Sequence, residues 1–379
     1  TVEKEPLIPI GHEIACDQFR LPIESPKKAF KTSGPKLTVS TNGDNLSASS
    51  SKVNFVFNRK TGIVTSYKVD GTEYFSEGFG IQPNFWRAPT DNDYGNGMPK
   101  RLQVWKESSK NFNVTDATVT MDGNNAVVNV NYLLPAGNLY IVNYTIYPSG
   151  AVNVAARFTS TDMDAAQTEV SEATRTATFT PGRDAARKEA SKLNVPRIGV
   201  RFRLPASMNQ VEYFGRGPAE NYLDRNAGSM IGLYKSTAEE LYFPYVRPQE
   251  NGHHTDTRWV SLSTGKKGLL IQADNTIGFN ALRNSIEDFD DEEATGLPRQ
   301  WSNFTPEQVA NHDEAAAKSV LRRQHHINDI TPRDFVEVCV DLKQQGVAGY
   351  DSWGSRPEPA YTLPANREYN WGFTLIPLK

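Results

Sequence analysis

The residues with the greatest capacity for chemistry lie in two irregular segments, 214–225 and 245–259. Both segments mix acids, amides, arginines and aromatic rings, and glycines and prolines interrupt them repeatedly. Carboxylates and amides hydrogen-bond to sugar hydroxyls, while flat rings cover the apolar face of a sugar. The composition therefore predicts a cleft that binds a polyol, although Arg–carboxylate pairs that only hold a β-protein together are an alternative. The candidate cleft residues are Glu220, Glu250, Asn251, His253, His254, Arg258 and Trp259.

Two further signals for chemistry are weak. In a strand, only one of His253 and His254 could face a cleft, because adjacent side chains point to opposite faces. A zinc site needs three or four ligands at compatible spacing, and this loop is weak evidence for one, so no metal is predicted. Asp91 and Asp93, which follow Arg87, resemble part of a cation loop, but a full calcium loop is absent. An Asx-turn with an Arg–Asp pair explains them equally well.

Composition and charge argue against several partner classes. The formal net charge is -3, and Lys and Arg are mixed with acids, so neither nucleic acid nor an anionic membrane is an expected partner. No run of about 18 apolar residues predicts a membrane span. The two cysteines, Cys16 and Cys339, are too few for a disulfide framework and are predicted to be buried thiols.

Antiparallel strands are the elements that must position these residues. From residue 37, alternating segments are separated by turn signals such as Asn42-Gly43-Asp44, roughly every 8 to 14 residues. About fifteen strands are predicted, more than one open sheet usually carries, so two packed sheets are expected. The exceptions are short helices at 100–106 and 308–317 and a long exposed connection at 160–192. The chain lacks the strand–helix alternation of a (β/α)8 barrel.

The first residues read as the tail of a preceding domain. Residues 11–22 alternate polar and apolar side chains like a strand, and residues 23–36 are rich in Lys, Ser and Pro like a linker. The chain starts without methionine, close to this predicted strand. We therefore expect that the sequence begins inside a longer protein.

Ordered motifs along nearly the whole chain resemble the C-terminal domain of glycoside hydrolase family 2 β-galactosidases. They are GHEIA (11–15), RAPTDND (87–93), GRGPAENY (215–222), PQENG (248–252) and DSWG (351–354). The resemblance implies an all-β fold at 37–379, a large antiparallel two-sheet supersandwich of the galactose mutarotase-like type. It implies that residues 1–33 are the tail of an immunoglobulin-like domain and a linker. Both catalytic glutamates would lie on a barrel before residue 1, so no catalytic residue is assigned in this chain.

The resemblance also implies one direct substrate contact. Trp353 is expected to reach the sugar pocket of the barrel, where its indole face would cover galactose. Asp351 is expected to hold that loop, and this chain has Tyr350 where relatives usually carry a second acid. The residues expected near the contact with the barrel are Arg87, Asp91 and Asp93.

The expected partners are the chain's own catalytic barrel and a galactoside substrate, in a homo-oligomeric complete enzyme of the bacterial cytoplasm or periplasm. No cofactor is expected in this chain, while Mg or Na stays open for the complete enzyme. The implied activity is hydrolysis of terminal non-reducing β-D-galactose residues by a retaining mechanism. Two alternatives stay open: a stand-alone carbohydrate-binding module, or a mutarotase-like epimerase that uses a His and a Glu.

Overall fold

Antiparallel strands are the main secondary structure of the chain in a computed structural model, which describes residues 7–23, 29–160, 193–290, 326–351 and 354–379. The chain divides into two units, Thr1–Phe30 and Lys31–Lys379. In the first unit, residues 11–22 form no strand, so the strand predicted there is wrong. Alternation of side chains makes a strand only where a neighbouring strand satisfies the backbone groups. The domain limits 1–33 and 37–379 stay a prediction.

The second unit begins with a five-stranded antiparallel meander. Its strands pair in sequence order and are β1 (Thr38–Asn42), β2 (Asn45–Ser49), β3 (Val53–Asn58), β4 (Ile63–Val69) and β5 (Thr72–Glu73). The predicted hairpin at Asn42-Gly43-Asp44 is confirmed, because it joins the first two strands. Gly43 has a φ of +56°, a conformation that glycine adopts without strain.

A twelve-stranded antiparallel sheet carries the other strands. They are β6 (Gln82–Asn84), β7 (Asn113–Asp122), β8 (Asn125–Leu133), β9 (Asn138–Ile146), β10 (Val152–Ser160), β11 (Arg197–Pro205), β12 (Gln210–Gly217), β13 (Met230–Thr237), β14 (His254–Ser263), β15 (Gly268–Leu282), β16 (Phe335–Gln344) and β17 (Tyr369–Leu378). The main path runs β13-β12-β14-β15-β17-β10-β9-β8-β7, and β16, β11 and β6 branch from β15. The predicted all-β fold with two antiparallel sheets is confirmed.

Aromatic side chains pack the two sheets together. The ring centroid of Phe55 on β3 lies 5.6 Å from that of Tyr144 on β9. Tyr67 on β4 donates its hydroxyl to the Gly150 carbonyl at 2.5 Å. These three rings are buried, and each such ring pair adds about 0.5–1.5 kcal/mol to the burial of its area. Both sheets therefore contribute to one apolar core.

Short helices connect some of the strands. They are α1 (Asp91–Gly95), α2 (Met98–Arg101), α3 (Gln103–Ser108) and α4 (Ile286–Phe289), with 3-10 turns at Ser76–Gly78, Ile327–Asp329 and Pro359–Tyr361. The helix predicted at 100–106 is present as α2 and α3, and Trp105 packs in the core beside Phe85. The helix predicted at 308–317 and residues 161–192 of the predicted connection lie outside the described residues. No described helix is long and apolar enough to cross a membrane.

The two cysteines differ in burial. Cys339, inside β16, is buried as predicted, whereas Cys16 is exposed, and both are free thiols. The prediction of a buried Cys16 is wrong. Burial of a thiol requires a packed element around it, and residues 11–22 form no such element.

Candidate functional site

Acidic side chains occupy one face of β16. The valines of this strand belong to the apolar core, whereas Glu337 and Asp341 point to the other side, as strand alternation requires. The register places Asp341 between Gly199 on β11 and Gly278 on β15. A side chain at Gly199 would place its Cβ 2.1 Å from Asp341 Oδ1, so the glycine makes room for the carboxylate.

Arg197, the first residue of β11, is the centre of a buried polar network. Its Nη2 donates to Glu250 Oε1 at 3.2 Å and to Asn280 Oδ1 at 2.7 Å, and its Nε lies 3.2 Å from Asp341 Oδ2. Asn280 and Gln344 donate to the same Glu250 oxygen at 3.1 and 3.0 Å. All five residues are at most 6% exposed. Protein donors therefore replace water around Glu250, whereas Asp341 has the charge of Arg197 nearby but accepts no hydrogen bond from the described residues.

The two histidines point to opposite sides of their segment, as alternation predicts. His253 Nδ1 lies 2.9 Å from Asn280 Oδ1, and its ring stacks on Tyr222. The ring of His254 instead stacks on Phe279 in the core. Burial lowers the pKa of both imidazoles, to about 4 for His254, so both rings are neutral at pH 7. Within the described ranges, no group of three or more His, Cys, Asp or Glu side chains could hold a metal ion.

Burial also raises the pKa of the two acids on β16, Asp341 and Glu337. It raises the pKa of the Asp341 carboxyl to about 7, against the opposing charge of Arg197. It likewise raises the pKa of Glu337, whose carboxylate accepts a hydrogen bond from Arg203 Nε at 2.8 Å. Each acid thus lies beside an arginine of β11, Arg197 for Asp341 and Arg203 for Glu337.

Arg87 extends this network to helix α1. Its Nη2 donates to both carboxylate oxygens of Asp93 at 3.0 Å, and its Nη1 donates to Gln344 Oε1 at 3.3 Å. Asp93 also forms a capping box with Thr90, and this box begins α1. The motif therefore forms a buried Arg–Asp pair at a helix start, and Gln344 links this pair to Glu250.

Asp91 does not join that buried pair. Its carboxylate accepts from Gln249 Nε2 at 3.1 Å and lies 3.4 Å from Arg247 Nη1. The Arg247 guanidinium also lies over the ring of Tyr94, 3.9 Å from the ring centroid. These four side chains, Asp91, Tyr94, Arg247 and Gln249, are each at least partly exposed, and we call them the rim group.

Glu220 ties the two irregular segments together. Its Oε1 accepts from Arg225 at 2.9 Å and from the Tyr245 hydroxyl, and its Oε2 accepts the N–H of Gly252 at 2.7 Å. Gly252 has a φ of +71°, and a Cβ there would lie 2.8 Å from a backbone oxygen, so the turn needs glycine. Buried Asn251 binds backbone groups on both sides of the same loop. These candidates therefore shape the loop that presents Glu250.

Arg258 and Trp259 lie farther along β14. Arg258 donates to Asp256 O at 2.5 Å, and its guanidinium lies 5.7 Å from the ring centroid of Phe214. Trp259 pairs in register with Phe214 and is partly buried. Trp259 comes five positions after His254 in the same strand, a distance of about 15 Å. The structure therefore does not bring Trp259 into the network around Arg197.

Trp353 lies outside the described residues, but its flanking residues are held. Asp351 accepts the N–H of Ser355 at 3.1 Å, and the Ser355 carbonyl accepts from Asn96 Nδ2 at 3.4 Å. The Asp351 contact is the kind that a loop-holding role requires. The contact of Trp353 with a sugar stays a prediction.

A cavity of about 20 Å³ lies beside the polar network. Its lining includes Arg197, Glu250, Asn280, Glu337 and Ile286. This volume has room for about one water molecule, and a hexose ring with its hydroxyl groups is far larger. As the described residues shape it, this cavity therefore holds about one water molecule.

Sequence reasoning misses much of the network, namely Arg197, Asn280, Asp341 and Gln344. They lie in the three strands β11, β15 and β16, whose other residues are mostly apolar. The available signal is an acid within an apolar strand, as in β16, because a buried acid must have a partner on its face. The sequence does not indicate which strand supplies that partner.

Comparisons with known proteins identify two kinds of relative, long beta-galactosidases and a beta-galactosidase small subunit. A family model described as "Beta galactosidase small chain" matches residues 49–375. The chain is 31% identical to a beta-galactosidase of Priestia megaterium, over 97% of this chain and 30% of that protein. It is 26% identical to a beta-galactosidase of Streptococcus thermophilus, over 98% and 30%. A beta-galactosidase small subunit of Latilactobacillus sakei is 27% identical, over 85% of this chain and 92% of that subunit. The chain thus spans 30% of the length of the first two relatives.

The solved structures that align with this chain have low sequence identity to it. A galactose mutarotase-like protein from Lactobacillus casei aligns with a TM-score of 0.41 at 10% identity, over 88% of this chain and 100% of that chain. A galactose 1-epimerase from Lactobacillus acidophilus aligns with a TM-score of 0.42 at 8% identity, over 91% and 98%.

Proposed function

Because the chain belongs to the beta galactosidase small chain family, we propose that it is the non-catalytic part of a glycoside hydrolase family 2 β-galactosidase. The catalytic part hydrolyses terminal non-reducing β-D-galactose residues by a retaining mechanism. This chain forms the wall and rim of the galactoside pocket and supports the catalytic part. The length of the Priestia megaterium relative supports the proposal, since 70% of that protein lies beyond the match. The name of the Latilactobacillus sakei subunit supports a version in which the two parts are separate chains.

One observation carries the non-catalytic role: the acids at the candidate site are enclosed by protein partners. Glu250 Oε1 accepts hydrogen bonds from Arg197, Asn280 and Gln344. The cavity beside it holds about one water. A retaining glycosidase needs two carboxyl groups about 5–5.5 Å apart, on either side of a glycosidic bond. In the described residues, Glu250 is instead held by these three protein donors.

The rim group supports the wall role. Asp91, Arg247 and Gln249 are at least partly exposed and already bonded to one another. The pair of Arg87 with Asp93 fixes helix α1, which carries Asp91. Groups that are fixed before binding lose less conformational freedom when a ligand or partner arrives. The rim group is therefore suited to contact a sugar or the catalytic part.

Reconstitution of activity tests this proposal. The chain is mixed with the remaining part of its own enzyme, and hydrolysis of nitrophenyl β-galactoside is measured for each part and for the mixture. We expect activity from the mixture and none from this chain alone. Equal activity of the catalytic part with and without this chain would contradict the supporting role.

The purified chain alone also tests the alternative function, that of a mutarotase-like epimerase. That reaction needs an open-chain sugar intermediate in contact with an acid and a base. Here His253 and Glu250 are buried, and the adjacent cavity is the size of one water. We expect the optical rotation of fresh α-galactose to decay at the same rate with and without the chain.

A further inference from the structure

The segment at 346–351, which follows β16, has an unusual backbone conformation. Ala348 has a φ of +57° and Gly349 a φ of +102°. Residues with a Cβ rarely adopt the left-handed region, so surrounding contacts must hold Ala348 there. Residues 349–351, at the tip, are exposed. The conformation of the buried start of the segment therefore decides where the exposed tip lies.

Two charged side chains hold the start of this segment. Asp224 accepts the N–H of Val347 at 3.0 Å with Oδ1 and the N–H of Ala348 at 2.7 Å with Oδ2. Arg87 donates to the carbonyl of Gly346 at 3.2 Å. A Cβ on Gly346 would lie 2.3 Å from Asp224 Oδ2, so the glycine lets the carboxylate approach this closely. Hydrogen bonds to a charged acceptor are about twice as strong as neutral ones.

Asp224 is itself fixed by its own turn. It lies between Tyr222 and Arg225, which exchange backbone hydrogen bonds at 2.8 and 3.2 Å. Tyr222 is buried and stacks on His253, and Arg225 donates to Glu220 at 2.9 Å. The turn therefore rests on the same loop that presents Glu250. A carboxylate held in this way is already oriented toward the backbone that it binds.

We propose that Asp224 is a positioning residue for galactoside binding, because it fixes segment 346–351 and thereby the place of its exposed tip on the rim of the galactoside pocket. The inference rests on the proposed function of the chain. Asp224 does not touch the sugar. Its two bonds to successive N–H groups set the direction of the backbone at Ala348, and this direction places Tyr350 and Asp351. A binding group displaced by about 1 Å can lower activity by about 100-fold.

Hydrogen exchange on the full chain tests the positioning step. Asp224→Ala removes both acceptor oxygens, while Asp224→Asn keeps one. We expect the amides of Val347 and Ala348 to exchange at least about 10-fold faster in the Ala variant, with an intermediate rate in the Asn variant. Equal exchange in wild type and Asp224→Ala would overturn the proposal.

Glu73→Ala is the matched control for this experiment. The Glu73 carboxylate also accepts two backbone N–H groups, from Tyr67 at 2.9 Å and from Phe75 at 3.2 Å, but it lies in the five-stranded sheet. Its loss removes the same kind of contact elsewhere in the chain. We expect exchange at 346–351 to match wild type in this variant.

Kinetics of the assembled enzyme test the binding step. For nitrophenyl β-galactoside, we expect Asp224→Ala to raise KM about 10-fold and to change kcat less than about twofold, with Asp224→Asn between it and wild type. Glu73→Ala should leave KM unchanged. Faster exchange at 346–351 with an unchanged KM would overturn the proposal, because the segment would then not serve the sugar. If adding wild-type chain gives no activity, the proposed function fails, whereas the exchange result still decides whether Asp224 fixes the segment.

Discussion

The network around Arg197 and the rim group around Asp91 use the same types of side chain with different consequences. In the Arg197–Glu250 pair, the side chains are 1% and 4% exposed, whereas in the Arg247–Asp91 pair they are 39% and 61% exposed. Loss of one partner in the first pair leaves a buried charge without its counter-ion, whereas water competes with every contact in the second pair. Burial rather than residue type therefore decides which groups hold the fold and which are accessible to a ligand.

The largest effect is expected from Arg197→Ala. This change leaves Glu250 and Asp341 buried without their shared cation, which costs about 3–5 kcal/mol. Urea unfolding of the variant and wild type would measure the loss. A loss below about 1 kcal/mol would mean that water enters the network and that the contrast with the rim group is wrong.

The pH dependence of stability should come from Asp341 in particular. Its pKa rises from 3.8 to about 7 in the fold because of burial, so the folded chain holds a proton in this range that the unfolded chain releases. This stabilising contribution is complete below the lower pKa and is lost as pH rises through the upper one. The change is on the order of 4 kcal/mol, at about 1.4 kcal/mol per pKa unit.

The variant Asp341→Asn has no carboxyl group to titrate at this position, so it is the reference against which the pH dependence of wild type is measured. The unfolding free energies of wild type and variant should be measured between about pH 5 and 8. We expect wild type to lose stability relative to the variant as pH rises. A constant difference across the range would show that Asp341 keeps one charge state.

Strand alternation and turn residues predict much of the fold, but they do not show which strands pair. The hairpin at Gly43 and the two-sheet arrangement follow from local signals. Residues 11–22 have the same alternation and form no strand, because pairing depends on a neighbour that sequence periodicity does not report.

The candidate site is predicted less completely for a related reason. Glu220, Glu250 and His253 stand out because acids and histidines in an irregular loop are conspicuous. Arg197 and Asp341 lie 144 positions apart by their residue numbers, and only the pairing of β11 with β16 brings them together. The sequence signals a buried acid but not its partner.

Gly199→Ala tests how tightly the network is packed. The added Cβ would lie 2.1 Å from Asp341 Oδ1 and 2.6 Å from the Val340 carbonyl, so the strands must shift. We expect a loss of about 1–3 kcal/mol in urea unfolding. Gly228→Ala is the control, because nothing lies within 4 Å of its Cβ. Equal stability of the two variants would contradict a tightly packed network.

The smallest effect is expected from Arg247→Ala in the rim group. Its ion pair with Asp91 is partly exposed, so its removal should change the unfolding free energy by less than about 1 kcal/mol. Urea unfolding measures this change for Arg247→Ala, in the same experiment as for Arg197→Ala. A loss as large as that of Arg197→Ala would remove the distinction between the two regions.

Hydrolysis of nitrophenyl β-galactoside by the purified chain alone tests the central claim most directly, with Glu250→Gln as the matched variant. The buried acids of this chain hold its fold and its loops, so we predict no turnover above buffer from either protein. Turnover by the wild-type chain that Glu250→Gln abolishes would contradict the account, because it would make Glu250 a reacting group.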